Sequence, residues 1–179
     1  MSVGLKPRFT TKLCDFSVNV IVISRPGALL TALLGQFASR GRATINVSFD
    51  ELAALGDDLL RGALVVDADA LSYLQRSAGF VDAEHQRLLA LRAAFLARCR
   101  QWHVPYLLLS DGRVFGGLTS EGPELCEADT PAPNCTAGLQ YLAVEQLLMA
   151  DSAQQGLVLR TGPLIAAQEG NFLGDCLAA

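Results

Sequence analysis

VNVIVI, at residues 18–23, is followed by SRPG at residues 24–27 and by ALLTALLGQFASR at residues 28–40. An almost continuous β-branched run of this kind is typical of a strand that a parallel sheet buries on both faces. Adjacent proline and glycine signal a turn, and the third segment is apolar at helical spacing up to Gly41. The stretch therefore predicts a strand, a tight turn and a helix, in that order.

The same alternation continues along the chain. We expect further strands at residues 43–49, 63–67, 104–110 and 157–160, and helices at residues 50–61, 81–102 and 137–153. Strands that alternate with helices predict a parallel sheet with right-handed crossovers. The fold class is therefore α/β, a doubly wound and Rossmann-like sheet with helices on both faces.

The chain has 179 residues, of which 51% are hydrophobic, and a formal net charge of -4. This length suits one substantial core rather than two domains, so we expect an irregular lead-in at residues 1–17 and a single domain at residues 18–179. An acidic balance without a basic cluster argues against nucleic acid as a partner. No apolar stretch approaches a membrane span, so we expect no membrane partner.

The cysteines are odd in number and scattered, without a CxxC pair, so a metal site or a disulfide framework is not expected. Unpaired cysteines pack as small hydrophobes in a reducing compartment, which predicts a cytoplasmic protein. They are Cys14, Cys99, Cys126, Cys135 and Cys176.

Four segments resemble the extended short-chain dehydrogenase/reductase superfamily, and within it the dTDP-4-dehydrorhamnose reductases most closely. The first is the opening strand, turn and helix. LLLSDGRVFGG, residues 107–117, is similar to the family's strand that ends in serine or threonine before Tyr-Val-Phe-Asp-Gly. EADTPAPNCTAGLQYLAVEQ, residues 127–146, is similar to its acidic loop and Tyr-Gly-x-x-Lys-x-x-x-Glu helix. LVLRTGPLI, residues 157–165, and Gly170-Asn171-Phe172 are similar to its Leu-Arg-Thr strand and Gly-Asn-Phe element.

The resemblance implies that residues 18–179 form a degenerate NAD(P)-binding domain, with NADP or NAD as the family's cofactor. In the family, most of a small substrate-binding domain follows the Leu-Arg-Thr strand. We therefore expect the substrate domain to be largely missing from this chain, together with much of the sugar-binding surface.

The resemblance also implies three catalytic positions, and this sequence has other residues at all of them. In the family, a tyrosine protonates the substrate carbonyl, a lysine four residues later lowers the pKa of that phenol, and a serine or threonine orients the carbonyl. Aligned on the glycine and glutamate of the helix motif, Ala137 stands at the tyrosine position and Tyr141 at the lysine position. Asp111 stands at the hydroxyl position, directly after Ser110.

These replacements remove the family's chemistry. Loss of a positioned proton donor costs ~10²–10⁴ in rate and loss of an oxyanion donor roughly 10²–10³. In a shifted register Tyr141 would be the acid, but Glu145 would then stand at the lysine position and raise the pKa of the phenol. Hydride transfer by the family's mechanism is therefore not expected.

The cofactor loop is altered as well. The family's Gly-x-x-Gly-x-x-Gly corresponds to residues 24–30, where Ser24, Gly27 and Leu30 stand at the glycine positions. The resemblance places cofactor contacts at Ser24, Arg25 and Gly27, because a helix N-terminus attracts phosphate and Arg25 adds positive charge. Leu30 is expected to push the helix away from the strand.

Asp50 follows the second predicted strand, near where a carboxylate of the family would meet the adenosine ribose. The simpler interpretation is that Asp50 caps the helix that begins nearby. Both interpretations remain open from the sequence.

Two functional hypotheses follow. The first is a catalytically inactive relative of the sugar-nucleotide reductases that acts as a regulatory, scaffolding or ligand-sensing protein, with a nucleotide or sugar nucleotide as its ligand. The second is an atypical NAD(P)-dependent sugar-nucleotide reductase or epimerase, whose site is rebuilt from Asp111, Arg113 and Tyr141 at the carboxyl ends of the strands. Without the substrate domain the fold would expose apolar surface, so we expect a protein partner or a homo-oligomer.

Overall fold

The structure is a computed structural model that describes residues 19–74, 82–116, 125–150 and 155–162. The predicted lead-in at residues 1–17 and the Gly170-Asn171-Phe172 element lie outside the described residues. The strands are β1 (Val20–Ile23), β2 (Thr44–Val47), β3 (Leu64–Asp67), β4 (Tyr106–Asp111) and β5 (Gly156–Thr161). The α-helices are α1 (Ala28–Ser39), α2 (Asp57–Leu60), α3 (Asp69–Leu74), α4 (Asp82–Gln101) and α5 (Thr136–Met149).

The five strands form one parallel sheet in the order β2-β1-β3-β4-β5. Strand β1, which lies between β2 and β3, is buried along its whole length, as its β-branched sequence predicts. The chain moves from β1 to β2 on one side and from β3 to β4 and β5 on the other, so its direction reverses between β1 and β3. The doubly wound α/β fold expected from the sequence is confirmed.

Alternate residues of β1 belong to two separate apolar clusters on opposite faces of the sheet. Ile21 and Ile23 pack with apolar side chains of α4 and α5. Val20 and Val22 pack with apolar side chains of α1 and α3, among them the buried Leu30 of α1. Because successive side chains of a strand point to opposite faces, the helices cover both faces.

The helical stretch expected at residues 50–61 is interrupted in the structure. A short 3-10 helix covers Leu52–Ala54 and α2 covers Asp57–Leu60, with Gly56 in extended conformation between them. The prediction of one continuous helix is therefore wrong, and α3 was not predicted from the sequence at all. The long helix α4 and the helix α5 lie within a few residues of their expected bounds.

Helix α5 approaches the end of β4 closely because its third residue is glycine. A Cβ atom at Gly138 would lie 2.4 Å from the backbone oxygen of Arg113 and 2.9 Å from Cβ of Pro133. Arg113 belongs to the 3-10 turn Gly112–Phe115 that follows β4. Any larger residue at position 138 would move the helix away from this turn.

We predict that Gly138→Ala lowers the free energy of unfolding by about 1–3 kcal/mol, because backbone atoms must shift to admit the methyl group. Gly35→Ala is the matched control, since Gly35 lies inside α1 and a Cβ there meets no atom within 4 Å. That control should raise the free energy of unfolding by about 0.5–1 kcal/mol. Urea denaturation measures both, and equal effects would contradict the close approach.

Candidate functional site

Strand β4 ends at Asp111, and the turn after it folds the Arg113 side chain back onto this carboxylate. The Arg113 guanidinium donates from Nε to Oδ1 at 2.9 Å and from Nη2 to Oδ2 at 3.0 Å. The backbone N–H of Arg113 also donates to Oδ1, at 2.8 Å. The carboxylate therefore both shapes the turn and neutralises the guanidinium.

Tyr141 of α5 completes what we call the β4 cluster, which consists of Asp111, Arg113 and Tyr141. Nη2 of Arg113 donates to the phenol oxygen at 3.3 Å, and the guanidinium carbon lies 5.2 Å from the ring centroid. Tyr141 is fully buried. Burial raises the pKa of its phenol above the ordinary value and outweighs the opposing effect of Arg113, while Asp111 raises the pKa further.

Ala137, which stands at the family's tyrosine position, is half-buried and packs against the same apolar cluster as Tyr141. Ser110, next to Asp111, donates its hydroxyl to Oε1 of Glu145 at 2.6 Å. Glu145 also accepts three hydrogen bonds from Arg160 of β5, one from Nη2 at 2.7 Å and two from Nε at 3.0 and 3.2 Å. Glu145 therefore belongs to a partly buried ion pair, and the carboxylate that contacts the Arg113 guanidinium beside the Tyr141 phenol is that of Asp111.

A second polar cluster lies at the end of β3. Asp67 is fully buried, and its Oδ2 accepts from Nε of Arg92 and from the hydroxyl of Tyr106, both at 2.6 Å. Its Oδ1 accepts from the backbone N–H of Asp69 at 3.1 Å. Burial raises the pKa of the Tyr106 phenol, and the neighbouring carboxylate raises it further. The network joins β3, β4 and α4.

Five charged side chains form an alternating series above the carboxyl ends of β1, β2 and β3. Arg25 pairs with Asp69 at 3.3 Å and lies 3.8 Å from Glu84. Arg87 donates to Glu84 at 2.7 Å and also binds Asp50. We refer to Asp69, Arg25, Glu84, Arg87 and Asp50 as the crevice ion pairs.

Ser24, Gly27 and Asp50 were predicted from the sequence to contact a cofactor, and the structure shows what each of them contacts within the chain. Ser24 is buried and donates to the backbone oxygen of Arg25, while Gly27 is the N-cap of α1 in extended backbone conformation. Asp50 binds Arg87 and does not cap a helix, because Glu51 is the N-cap of the 3-10 helix that follows. The capping interpretation of Asp50 is therefore wrong, and its proposed ribose contact stays a prediction.

The sequence predicted that Asp111, Arg113 and Tyr141 would lie near one another, and the structure brings them into contact. It did not predict the buried pair of Asp67 with Arg92. The available signal was an aspartate ending an otherwise apolar strand, ALVVD at residues 63–67. An arginine on α4 could not be matched to it because the two residues are far apart in the chain.

Across the described ranges, no group of three or more His, Cys, Asp or Glu side chains is placed to hold a metal ion. Within the same ranges, none of the helices combines the length and apolar content that crossing a bilayer requires. Cys126 and Cys135 are exposed free thiols, and Cys99 is a buried one. Burial raises the pKa of Cys99 to about 12.

No protein-family model matches the sequence, and no curated protein sequence matches it. Solved structures with the same fold include a dTDP-4-dehydrorhamnose reductase from Clostridium acetobutylicum, with a TM-score of 0.67, 15% identity and coverage of 90% of this chain and 59% of that one. The corresponding enzyme from Bacillus anthracis, in complex with NADP, has a TM-score of 0.65 and 17% identity, and the match covers 90% of this chain and 59% of that one. A UDP-N-acetylglucosamine 4-epimerase from Bacillus cereus has a TM-score of 0.68 and 15% identity, and the match covers 88% of this chain and 65% of that one.

These likenesses confirm at the level of the fold the resemblance inferred from the four sequence segments. The chain shares the fold of these reductases and of this epimerase. It spans 59% to 65% of the length of these three proteins.

We predict that Arg92→Leu lowers the free energy of unfolding by about 3–5 kcal/mol, because it leaves the Asp67 carboxylate buried without its cation. Arg87→Leu removes an arginine from the same helix, but its ion pairs are exposed, so the cost should be about 0–1 kcal/mol. Denaturant titration of both variants measures the difference. A small effect of Arg92→Leu would contradict the structural role assigned to the buried pair.

Proposed function

We propose that this chain is a catalytically inactive binding protein built on a sugar-nucleotide reductase fold, with a regulatory, scaffolding or ligand-sensing role. Its ligand is a nucleotide or sugar nucleotide, and its free thiols support a cytoplasmic location. The observation that carries the proposal is the β4 cluster beside Ala137. Residues that pair with one another stand where the resemblance places the groups that transfer a proton.

The β4 cluster is poorly suited to acid catalysis by the family's route. Ala137 has no proton to donate, and the phenol of Tyr141 carries no positive charge at the lysine position. The only charge near that phenol in the described structure that could replace the lysine, that of Arg113, is neutralised by two hydrogen bonds to Asp111. Burial also raises the pKa of Tyr141 and separates its hydroxyl from solvent.

The start of α1 supports the ligand part of the proposal. Gly27 and the first turn of α1 lie at the carboxyl end of β1, where the strand order reverses and where doubly wound folds bind ligands. A helix N-terminus favours phosphate groups, and Arg25 adds a partly exposed cation there. These residues fit the diphosphate of NADP or NAD, whereas the β4 cluster does not fit the hydride chemistry that the nicotinamide supplies when bound.

One observation favours the second candidate, an atypical NAD(P)-dependent reductase or epimerase with a rebuilt site. The Arg113 guanidinium lies 3.3 Å from the Tyr141 phenol oxygen, so a cation stands beside a phenol as it does in the family. In this hypothesis Tyr141 is the acid and Arg113 lowers its pKa.

We predict that the wild-type protein binds NADPH, NADH or a dTDP-sugar in a calorimetric titration without oxidising the reduced cofactor in the presence of a dTDP-4-keto sugar. If the second candidate holds, turnover is present, and Tyr141→Phe reduces it by ~10²–10⁴. Tyr106→Phe is the matched control, because it removes the hydroxyl of another buried tyrosine that lies outside the β4 cluster.

Turnover that Tyr141→Phe abolishes and Tyr106→Phe retains would refute the inactive-protein proposal. Binding without turnover in all three proteins supports a ligand sensor. Absence of any binding would remove the ligand from the proposal and leave a role in protein interaction.

A protein partner or a second copy of the chain is the other part of the proposal, and exposed apolar side chains support it. Leu157 and Leu159 lie on the same side of β5 and are 64% and 48% exposed. Leu139 and Met149 on α5 are also exposed. Among the described residues β5 pairs through one edge, and apolar side chains along such a strand favour association.

We predict that the wild-type protein self-associates and that Leu157→Glu shifts it toward the monomer, because a carboxylate replaces apolar contact area at β5. Leu59→Glu is the control, since Leu59 on α2 is also an exposed leucine but lies on a different element. Sedimentation velocity at several concentrations measures both variants. A wild-type protein that stays monomeric would contradict self-association.

A further inference from the structure

We propose that the crevice ion pairs form a reversible latch that holds the nucleotide crevice closed, and that a phosphate-bearing ligand binds by taking Arg25 from its carboxylate partners. This inference rests on the proposed function and adds to it a regulatory contact within the chain. The observation that supports it is that the five side chains come from separate segments of the chain and meet at one edge of the sheet.

The latch residues belong to four separate segments at the carboxyl edge of the sheet. Arg25 lies in the turn between β1 and α1, Asp69 is the first residue of α3 after β3, and Asp50 follows β2. Glu84 and Arg87 lie in the first two turns of α4. Because β1 lies between β2 and β3, the series crosses the point where the strand order reverses. In doubly wound sheets that point is the ligand crevice.

The charges alternate along this series, so each cation has carboxylates as neighbours. Arg25 contacts Asp69 at 3.3 Å and Glu84 at 3.8 Å. Arg87 holds Glu84 through two hydrogen bonds of 2.7 and 2.9 Å and also binds Asp50. The two residues expected from the sequence to meet a cofactor, Arg25 and Asp50, are therefore both engaged by residues of the chain itself.

The contacts of Arg25 compete directly with a phosphate. Its guanidinium lies next to the N-terminus of α1 and is paired with the carboxylates of Asp69 and Glu84. A phosphate group must therefore compete with these two carboxylates for the guanidinium. The same carboxylates repel a diphosphate, so the closed arrangement lowers the affinity for the ligand in two ways. A protein whose binding-competent form is only partly populated binds its ligand more weakly by that fraction.

The latch is weak enough to open. The Arg25 side chain is 38% exposed and that of Glu84 is 31% exposed, and ion pairs near solvent contribute little to stability. Asp69 is the buried member, and burial raises the pKa of its carboxyl, with the nearby Asp67 raising it further and Arg92 and Arg25 opposing. The pair that opens most readily is therefore that of Arg25 with Glu84, because both side chains lie near solvent.

Glu84→Gln tests the latch, because Glu84 joins Arg25 to Arg87. Asp57→Asn is the matched control: it also converts a carboxylate of a surface ion pair to an amide, but its partner Arg98 lies in the last turn of α4, about 20 Å along the helix from Glu84. Calorimetry measures binding of NADPH and of inorganic pyrophosphate. Hydrogen–deuterium exchange of the backbone amides at residues 24–31 measures closure without any ligand.

We expect Glu84→Gln to bind both probes about two- to fivefold more tightly than wild type and to exchange faster at residues 24–31. Asp57→Asn should change neither property. Equal tightening in both variants would reduce the effect to net charge and overturn the latch, as would unchanged exchange in Glu84→Gln. If exchange rises only in Glu84→Gln but neither probe binds any of the proteins, the closure stands and the nucleotide-binding function fails.

Discussion

The carboxylate of Asp67 is the group on which the carboxyl edge of the sheet depends. It is fully buried, and such a charge is tolerated only when hydrogen bonds and an opposite charge replace water. Arg92 of α4, Tyr106 of β4 and the backbone N–H of Asp69 supply those partners. One side chain therefore holds the first half of the long helix against β3 and β4 and sets the direction in which the chain leaves β3.

Everything proposed for the nucleotide crevice follows from that placement. Arg92 lies two turns after Glu84 on the same helix, so the contact that anchors α4 also carries Glu84 and Arg87 to the crevice. The N–H that Asp69 donates to Asp67 starts α3 and leaves the Asp69 side chain available to Arg25. Removing one partner of the buried network is costly, whereas the pairs of Glu84 with Arg25 and Arg87 lie near solvent and contribute little to stability, and this difference makes a reversible contact physically reasonable.

The β4 cluster lies at the end of the neighbouring strand, and its polar groups bond mainly to one another. A carboxylate, a guanidinium and a phenol satisfy one another under the first turns of α5, where glycine at position 138 lets the helix come close. Mutual pairing of this kind favours a rigid, self-contained structure over proton transfer to a ligand. The inactive-protein proposal therefore depends on how the residues are paired as much as on which residues are absent.

The sequence by itself determined the order of strands and helices and the parallel, doubly wound sheet. The β-branched run at residues 18–23 and the alternating strand and helix patterns that follow it can be read from local sequence. The proximity of Asp111, Arg113 and Tyr141 was implied by the resemblance of two of the chain's motifs to the reductase family. The sequence missed α3, the break at Gly56 and the partners of Asp67, Arg25 and Asp50. The ion-pair partners of Asp67, Arg25 and Asp50 are distant from them in the chain, and side-chain pairing across a sheet edge is decided only when the strands and α4 are packed together.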